Sequence, residues 1–307
     1  MRILIVLGHN RLTGVNTWAL TLAKEFVKHG HDAVIEISTS EYDKFDLDED
    51  YRGYYDMLAQ ENIPCYVNVL GDDYSQYDAI LLSYNVHAPK FEKYEGKRIF
   101  VLHGMPTNFD GLYLPPAGYF TIAVSQFLME WWNTDALVNH GVDIEFFKPA
   151  NSPASNDPPK KALCITRYNN DFMQLALKAA GISCEVASDT SPAMLIKKMY
   201  DADFVVAAGR SCYEAMACGK RVFVAGHCGI DGWMTPWTFH IFLYKNCSGY
   251  LNHLWSESFE KIVQRLKYSN LAPKGMINRQ LITANLTAES MYLKYLTVIE
   301  SMHNGRY

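Results

Sequence analysis

No run of about eighteen apolar residues occurs anywhere in the chain, so no membrane-spanning helix is predicted. No stretch clusters five or more Lys or Arg residues, and the formal net charge is −5. That balance argues against a dedicated nucleic-acid binder, which carries a basic excess or a basic stripe. The cysteines number seven and no pair has CxxC spacing. Several lie in apolar, strand-like runs, where cysteine acts as a small hydrophobe. This argues against a zinc site or a disulfide framework and fits a reducing compartment. Short-period repeats and low-complexity tracts are absent. Met1 leads straight into Arg2–Leu7, an apolar run too short to span a bilayer and without a signal-peptide cleavage site. A cytoplasmic protein is therefore expected.

What is present is ordinary globular material. The chain has 307 residues, 49% of them hydrophobic and 20% charged, enough for two Rossmann-sized domains with real cores. Short apolar runs alternate with helical patterns. Arg2–Leu7 reads as a strand, and Asn16–Lys28 as a helix with Trp18, Leu22 and Phe26 along one side and Gly30 just past its end. Asp32–Ile37, Cys65–Leu70, Ala79–Ser83, Arg98–Leu102 and Phe120–Val124 follow as strands. Apolar runs of this length, separated by helices, predict a parallel sheet covered on both faces. Asn151–Pro159 is polar and proline-rich and reads as a linker. The alternation restarts with strands at Ala162–Thr166, Ser183–Ala187, Phe204–Ala208 and Arg221–Ala225. A last helix spans about Thr287 to Met302. The predicted domains are 1–150 and 151–286, with 287–307 a terminal helix whose pattern leaves open whether it packs on its own domain or crosses back to the first.

Four places could carry chemistry. The turn after the first strand, Gly8 to Thr17, joins a strand to a helix, and the helix start offers free N–H groups to an anion. Its Thr13-Gly14-Val15 core does not have GxGxxG spacing, so a dinucleotide fingerprint is not met, and a simple capped turn is the alternative. His103 follows a predicted parallel strand, at the edge where open α/β sheets bind ligands; a satisfied loop histidine is the alternative. Gly209-Arg210-Ser211 ends another strand, and Glu214 lies early in the helix that follows. A carboxylate there can accept two hydrogen bonds from a vicinal diol, or serve only as a dipole partner. Arg167 stands directly after the strand Ala162–Thr166, where a guanidinium suits a diphosphate. Asp72-Asp73 reads as a solvated turn, and His227, His240 and His253 are spaced too irregularly for metal ligands. Trp131, Trp132, Trp233 and Trp237 are able to stack on sugar rings, although packing is the commoner role.

Taken in order, these pieces resemble the retaining glycosyltransferases of group 1, also called family four, on the GT-B fold. Thr13-Gly14-Val15 with Gly30-His31-Asp32-Ala33-Val34 looks like that family's opening glycine turn, helix and "GHEV" strand. Ile122–Leu128 is similar to "AVSEFL". Asn139-His140-Gly141-Val142-Asp143, followed by Phe147-Lys148-Pro149, resembles "NGVD…FxP". Glu214–Lys220 is close to "EAMACGKPV", and Asn246–Leu251 to the "NGxL" strand. The resemblance implies two Rossmann-like domains with parallel sheets facing an interdomain cleft, and a terminal helix, 287–307, that crosses back to the first domain. It implies a nucleoside-diphosphate sugar as donor, bound mainly by the C-terminal domain, with no other cofactor and no metal. Under it Glu214 holds the ribose, Arg167 contacts the diphosphate and His103 lies near the transferred sugar. Thr13-Gly14-Val15 faces the donor phosphates or the acceptor.

Two departures stand out. The family's other glutamate, eight residues before the one matching Glu214, falls on Val206, with Gly209-Arg210-Ser211 suggesting a shortened loop. The family's lysine falls on Phe172. Arg210 is expected to replace that lysine's charge, and His140, in place of the usual asparagine, reads as structural. The expected acceptor is a cell-surface glycan, a glycolipid or a small glycoside. A membrane-bound acceptor would draw on basic and aromatic residues, and Lys90, Lys93, Lys97 and Arg98 with Phe91 and Tyr94 form a faint cluster of that kind or a solvated face. The alternatives are glycosylation of modified DNA or protein, a nucleotide-sugar-binding protein that has lost catalysis, and, more remotely, a sugar-nucleotide epimerase.

Overall fold

The computed structural model describes residues 1–9, 13–38, 52–68, 73–104, 114–150, 159–165, 170–187, 190–226, 229–249, 258–267 and 275–302. They fall into two compact units. Unit 1 runs from Met1 to Gly141 and takes up the chain again from Ala288; unit 2 is Val142–Thr287.

Unit 1 contains β1 (Arg2–Leu7), α1 (Gly14–Lys28), β2 (Asp32–Ile37), α2 (Arg52–Gln60), β3 (Cys65–Val67), β4 (Ala79–Leu82), a 3-10 helix (Asn85–Phe91), β5 (Lys97–Leu102), β6 (Phe120–Ala123), α3 (Gln126–Trp132) and β7 (Ala136–Leu137). The strands form one sheet in the order β3-β2-β1-β4-β5-β6-β7, every neighbouring pair parallel. Ile3, Leu4, Ile5 and Val6 of β1 are all fully buried, as expected of a strand covered on both faces. Helix α1 starts where Thr13 accepts from the Asn16 N–H, and ends before Gly30, whose φ of +79° suits the reversal. The terminal helix α10 (Ala288–Ser301) belongs to this unit. Its Met291, Tyr292, Tyr295 and Ile299 are buried in the same core as Trp18, Leu22 and Phe26 of α1. Burying side chains of that size stabilises by about 2 kcal/mol each.

Unit 2 contains β8 (Lys161–Ile165), α4 (Asn170–Ala179), β9 (Ser183–Val186), α5 (Pro192–Asp201), β10 (Phe204–Ala207), α6 (Arg210–Ala217), β11 (Arg221–Gly226), β12 (Gly229–Trp233), α7 (Phe239–Tyr244), α8 (Phe259–Lys267) and α9 (Gly275–Asn285). Its sheet order is β12-β11-β10-β8-β9. Four strands are parallel, and β12 runs antiparallel to β11. This antiparallel edge departs from the purely parallel sheet that the apolar runs suggest. Gly229 and Gly232, with φ of +143° and +99°, make β12 look like a turn in the sequence. Among the described residues no helix is long and apolar enough to cross a membrane.

Candidate functional site

In an open α/β sheet, ligands bind outside the carboxyl ends of the strands, where the strand order reverses. In unit 1 that reversal lies between β1 and β4. In unit 2 it lies between β8 and β10. Gly8, His9 and the start of α1 follow β1, and Ser83 and Tyr84 follow β4. Gly209 and Arg210 follow β10, and Arg167, after β8, lies outside the described residues.

At the unit 1 edge a small polar network fixes the opening turn. Thr13 Oγ1 donates to Asn16 Oδ1 at 2.7 Å, and Asn16 Nδ2 donates to the His9 carbonyl at 2.8 Å. Asn16 is fully buried, so its amide is committed to shaping the turn. Gly14 and Val15 open α1, and their N–H groups precede the first helical acceptors. Gly14 is exposed and Thr13 and Val15 are half-buried, which leaves this helix start open to an anion. Tyr84 lies against His9, with 3.2 Å between its hydroxyl and Nε2. A side chain added at Gly8 would run into the Tyr84 ring, so the tyrosine closes down on the turn.

His103, just past β5, sits on the same edge. Its Nδ1 is 3.0 Å from His140 Nε2, and the two rings stack at 5.2 Å. The edge of Trp18 meets it at 4.5 Å. His103 Nε2 is shielded from solvent and has no hydrogen-bond partner among the described residues. Although the residue keeps a partly exposed edge, burial of the ring pushes its pKa down to about 3. The imidazole is therefore neutral at physiological pH and offers Nε2 as a hydrogen-bonding group, not as a stored proton. A histidine whose pKa falls on folding adds stability above its unfolded value of about 6.5, and that stability drains as pH falls toward 3. The expected result is a melting temperature that drops between pH 6.5 and 4 in the parent protein and drops less in His103→Gln. Equal slopes would show that His103 is solvated.

A third group on this edge has no counterpart in the sequence reading. Glu36, near the end of β2, is fully buried and ion-paired with Lys90 of the 3-10 helix. Burial raises its carboxyl pKa, against the pull of Lys90. Glutamate within the apolar stretch from Ala33 to Ile37 was the available signal.

At the unit 2 edge, Gly209 has φ +60° and ψ −138°, and its N–H donates to the Cys247 carbonyl at 2.9 Å. A side chain at this φ is strained, so glycine is needed to swing the chain from β10 into α6. Arg210 and Glu214 then lie one turn apart and both are buried. Arg210 Nε donates to Glu214 Oε1 at 2.9 Å. Burial works against both charges, raising the glutamate's pKa and lowering the arginine's, while their mutual attraction opposes it. Asp143 adds to the attraction on Arg210. Ser211 is half-buried beside them. Tyr213 reaches from the same helix to Asn246 Oδ1 at 2.9 Å, tying α6 to the loop matched to the "NGxL" strand.

Two doubly wound units, and solved glycosyltransferase structures that match the chain over nearly its full length, make this a GT-B fold. No family model and no curated protein matches the chain. Solved structures do. A variant of S. aureus TarM, in complex with Fondaparinux, alpha-GlcNAc-glycerol and UDP, is similar with a TM-score of 0.64 at 11% identity, over 97% of this chain and 100% of that one. Anabaena HepE in complex with UDP and glucose gives 0.62 at 14% identity, over 98% and 100%. An alpha-glucosyltransferase in complex with UDP and a 13-mer DNA containing a HMU base gives 0.58 at 10% identity, over 98% and 99%.

Of the residues singled out from sequence, Thr13, Gly14, Val15 and His103 share the carboxyl edge of the first sheet, and Gly209, Arg210, Ser211 and Glu214 share that of the second. Val206 is a fully buried residue of β10, and Phe172 packs edge-on against Phe259 at 5.7 Å; both serve the core. Asp73 accepts from the Ser75 N–H and hydroxyl in an ordinary turn, while Asp72, His227 and His253 lie outside the described residues. His240 is exposed, Trp233 packs between Phe204 and Phe223, and Trp131 and Trp237 are exposed.

Proposed function

We propose that the protein is a glycosyltransferase that takes its sugar from a nucleoside-diphosphate sugar. The observation that carries this reading is the buried Arg210–Glu214 pair at the strand-order reversal of a doubly wound sheet. An ion pair buried at that edge is costly to keep for stability alone, and its two halves match the two ends of a nucleoside diphosphate. The carboxylate suits the ribose diol and the guanidinium suits the diphosphate. Ligand would draw Arg210 and Glu214 apart, each exchanging the other for a substrate group. Arg167 and the start of α6 would add to the charge facing the phosphates. Donors of this kind, aimed where charge develops on the leaving diphosphate, supply electrostatic stabilisation without a metal.

His103, neutral and with Nε2 directed away from His140, would hold a hydroxyl of the transferred sugar. Transfer with retention follows from the resemblance in the sequence. Acceptors of the glycan, glycolipid or small-glycoside type suit the mildly acidic chain. The DNA bound by one similar structure is a weaker model, because the net charge of −5 opposes a phosphate backbone. A second reading, binding without turnover, is favoured by the loss of a carboxylate at Val206 and of a cation at Phe172 to core packing.

The test is a thermal-shift series with UDP, GDP, CDP and ADP and their common sugars. UDP is the first nucleotide to try, since the similar structures hold it. One nucleotide at about a hundred times its Kd should raise stability by about 2.7 kcal/mol, and Glu214→Ala should lose that response. Hydrolysis or transfer from the same sugar nucleotide separates the enzyme from the binding protein. A folded sample that responds to no nucleotide at millimolar concentration would sink both readings.

A further inference from the structure

Two cysteines of unit 2 stand closer together than packing requires. Cys164 lies in β8 and Cys184 in β9, and the two strands are parallel neighbours. Cys184 is level with Ala162, so Cys164 stands two residues further along on the same face of the sheet. Their Sγ atoms are 3.1 Å apart, about 1 Å more than the length of a disulfide bond. Cysteines that serve only as small hydrophobes need no such approach.

The pair is asymmetric. Cys164 is fully buried, in the core with Met173 and Leu177 of α4 and Ile262 of α8. Strand β9 is an edge of the sheet, and Cys184 is half-buried there. Cys184 also lines a cavity of about 520 Å³, with Gln174 and Lys178 of α4 and Ser183 of β9. Its sulfur and this cavity lie on the same face, the one that α4 covers. A reagent from solvent therefore meets Cys184 first, and reaches Cys164 only through it.

The hydrogen bonds have the same direction. As thiols, Cys164 donates to Cys184, and Cys184 donates to the Glu185 carbonyl at 3.6 Å. The bond from the Cys164 side chain holds the Cys184 thiol below its ordinary pKa, against the effect of burial. Cys164, as donor and by burial, is held up. Burial also raises Cys65, Cys212 and Cys218. Cys184 is thus tilted toward thiolate, the reactive form, with a second thiol directly behind it.

We infer that Cys184 and Cys164 form a thiol-modification site, which a small disulfide of the glutathione class converts into an internal disulfide. Cys184 gives its proton to solvent, and its thiolate attacks one sulfur of the small disulfide. A mixed disulfide forms on Cys184 and one small thiolate leaves, taking a proton from solvent. Cys164 then attacks the Cys184 sulfur. The Cys164–Cys184 bond forms, and the second small thiolate leaves with the Cys164 proton. Two protein thiols are oxidised and one small disulfide is reduced to two thiols. Diagonal neighbours on adjacent strands stand about 7–8 Å apart, at the outer limit for a disulfide, so closure draws β9 toward β8. Held by a sheet partner on one side only, β9 is free to make that movement. The inference does not rest on the proposed sugar transfer.

The test is to incubate the full chain with millimolar oxidised glutathione at mildly alkaline pH, digest it with trypsin and weigh the peptides. Ala162–Arg167 and Ala179–Lys197 should appear as one linked species, and separate again on addition of dithiothreitol. Cys164→Ser should stop after the first step, with one glutathione held on Cys184. Cys184→Ser should leave Cys164 unmodified. In the parent protein, iodoacetamide should alkylate Cys184 at least about tenfold faster than Cys164. Should either variant not fold, the linked species and the alkylation rates of the parent decide alone. A folded parent whose Cys164 and Cys184 stay unlinked overturns the inference, whether Cys184 remains a thiol or keeps its glutathione. So do equal alkylation of the two cysteines and modification of Cys164 in folded Cys184→Ser.

Discussion

Glu214→Ala should cost both stability and nucleotide recognition, and the two losses should be separable. The substitution removes the Glu214 carboxylate that pairs with the buried Arg210 guanidinium. Breaking one side of a buried pair costs about 3–5 kcal/mol, visible as a lower urea midpoint with an unchanged slope. Turnover of the sugar nucleotide should fall at least about a hundredfold, the scale seen when one preorganised polar group is removed from an active site. The double variant Arg210→Met with Glu214→Leu separates the effects. Replacing both charges by apolar groups of similar volume is commonly neutral or stabilising, so its midpoint should return to near the parent value. Nucleotide binding should not return. A double variant that is stable and still binds nucleotide would show that the pair only holds α6 in place.

The second large effect is expected at His103. His103→Ala should lower turnover by about 10²–10³, with nucleotide affinity changed by less than about threefold. The reasoning is positional. His103 belongs to unit 1, where it is backed by His140 and Trp18, whereas the groups proposed to hold the nucleotide belong to unit 2. His140→Ala should repeat part of the loss, because it removes the group that sets the tautomer and orientation of the His103 ring. Steady-state kinetics beside a nucleotide titration decide the matter. If affinity for the nucleotide fell in step with turnover, His103 would be a packing residue whose loss disturbs the whole molecule.

The parallel strands were the most legible part of the chain. Runs such as Ile3–Val6 and Phe204–Ala207 are apolar throughout, and only a strand buried on both faces requires that. The end of α1 was legible at Gly30, but the sequence places its start at Asn16, two residues late, and allows Thr13 or Asn16 as the cap where the structure uses Thr13. The antiparallel β12 was not legible, because glycines that permit its irregular pairing with β11 look like turn residues when read alone. Nor was the 3-10 helix Asn85–Phe91, whose Pro89 argues against a helix until the turn-by-turn geometry is seen. The site was legible in pieces. His103, Gly209 and Glu214 each follow a strand, which a sequence shows. That Arg210 and Glu214 meet one turn apart follows from helical spacing, but their burial does not. The pairing of His103 with His140 depends on strands β5 and β6 and the loop after β7 coming together, which is tertiary information. His140 looked structural, and it stands behind the residue proposed to touch the sugar.

The last helix gives the chain an order of assembly. Unit 2 is one continuous stretch, Val142–Thr287, and its ends are joined to each other by the Val142 N–H donating to the Leu286 carbonyl at 2.9 Å. Unit 1 is interrupted. Its core contains Trp18 and Phe26 near the beginning and Tyr292, Tyr295 and Ile299 near the end. During synthesis, when domains ordinarily fold in the order they emerge, the first-made half must wait with the α1 face of its core uncovered. The later-made half can close as soon as it leaves the ribosome. Unit 1 is thus sealed only after unit 2 has been made, because the helix that covers α1 follows Thr287 in the chain.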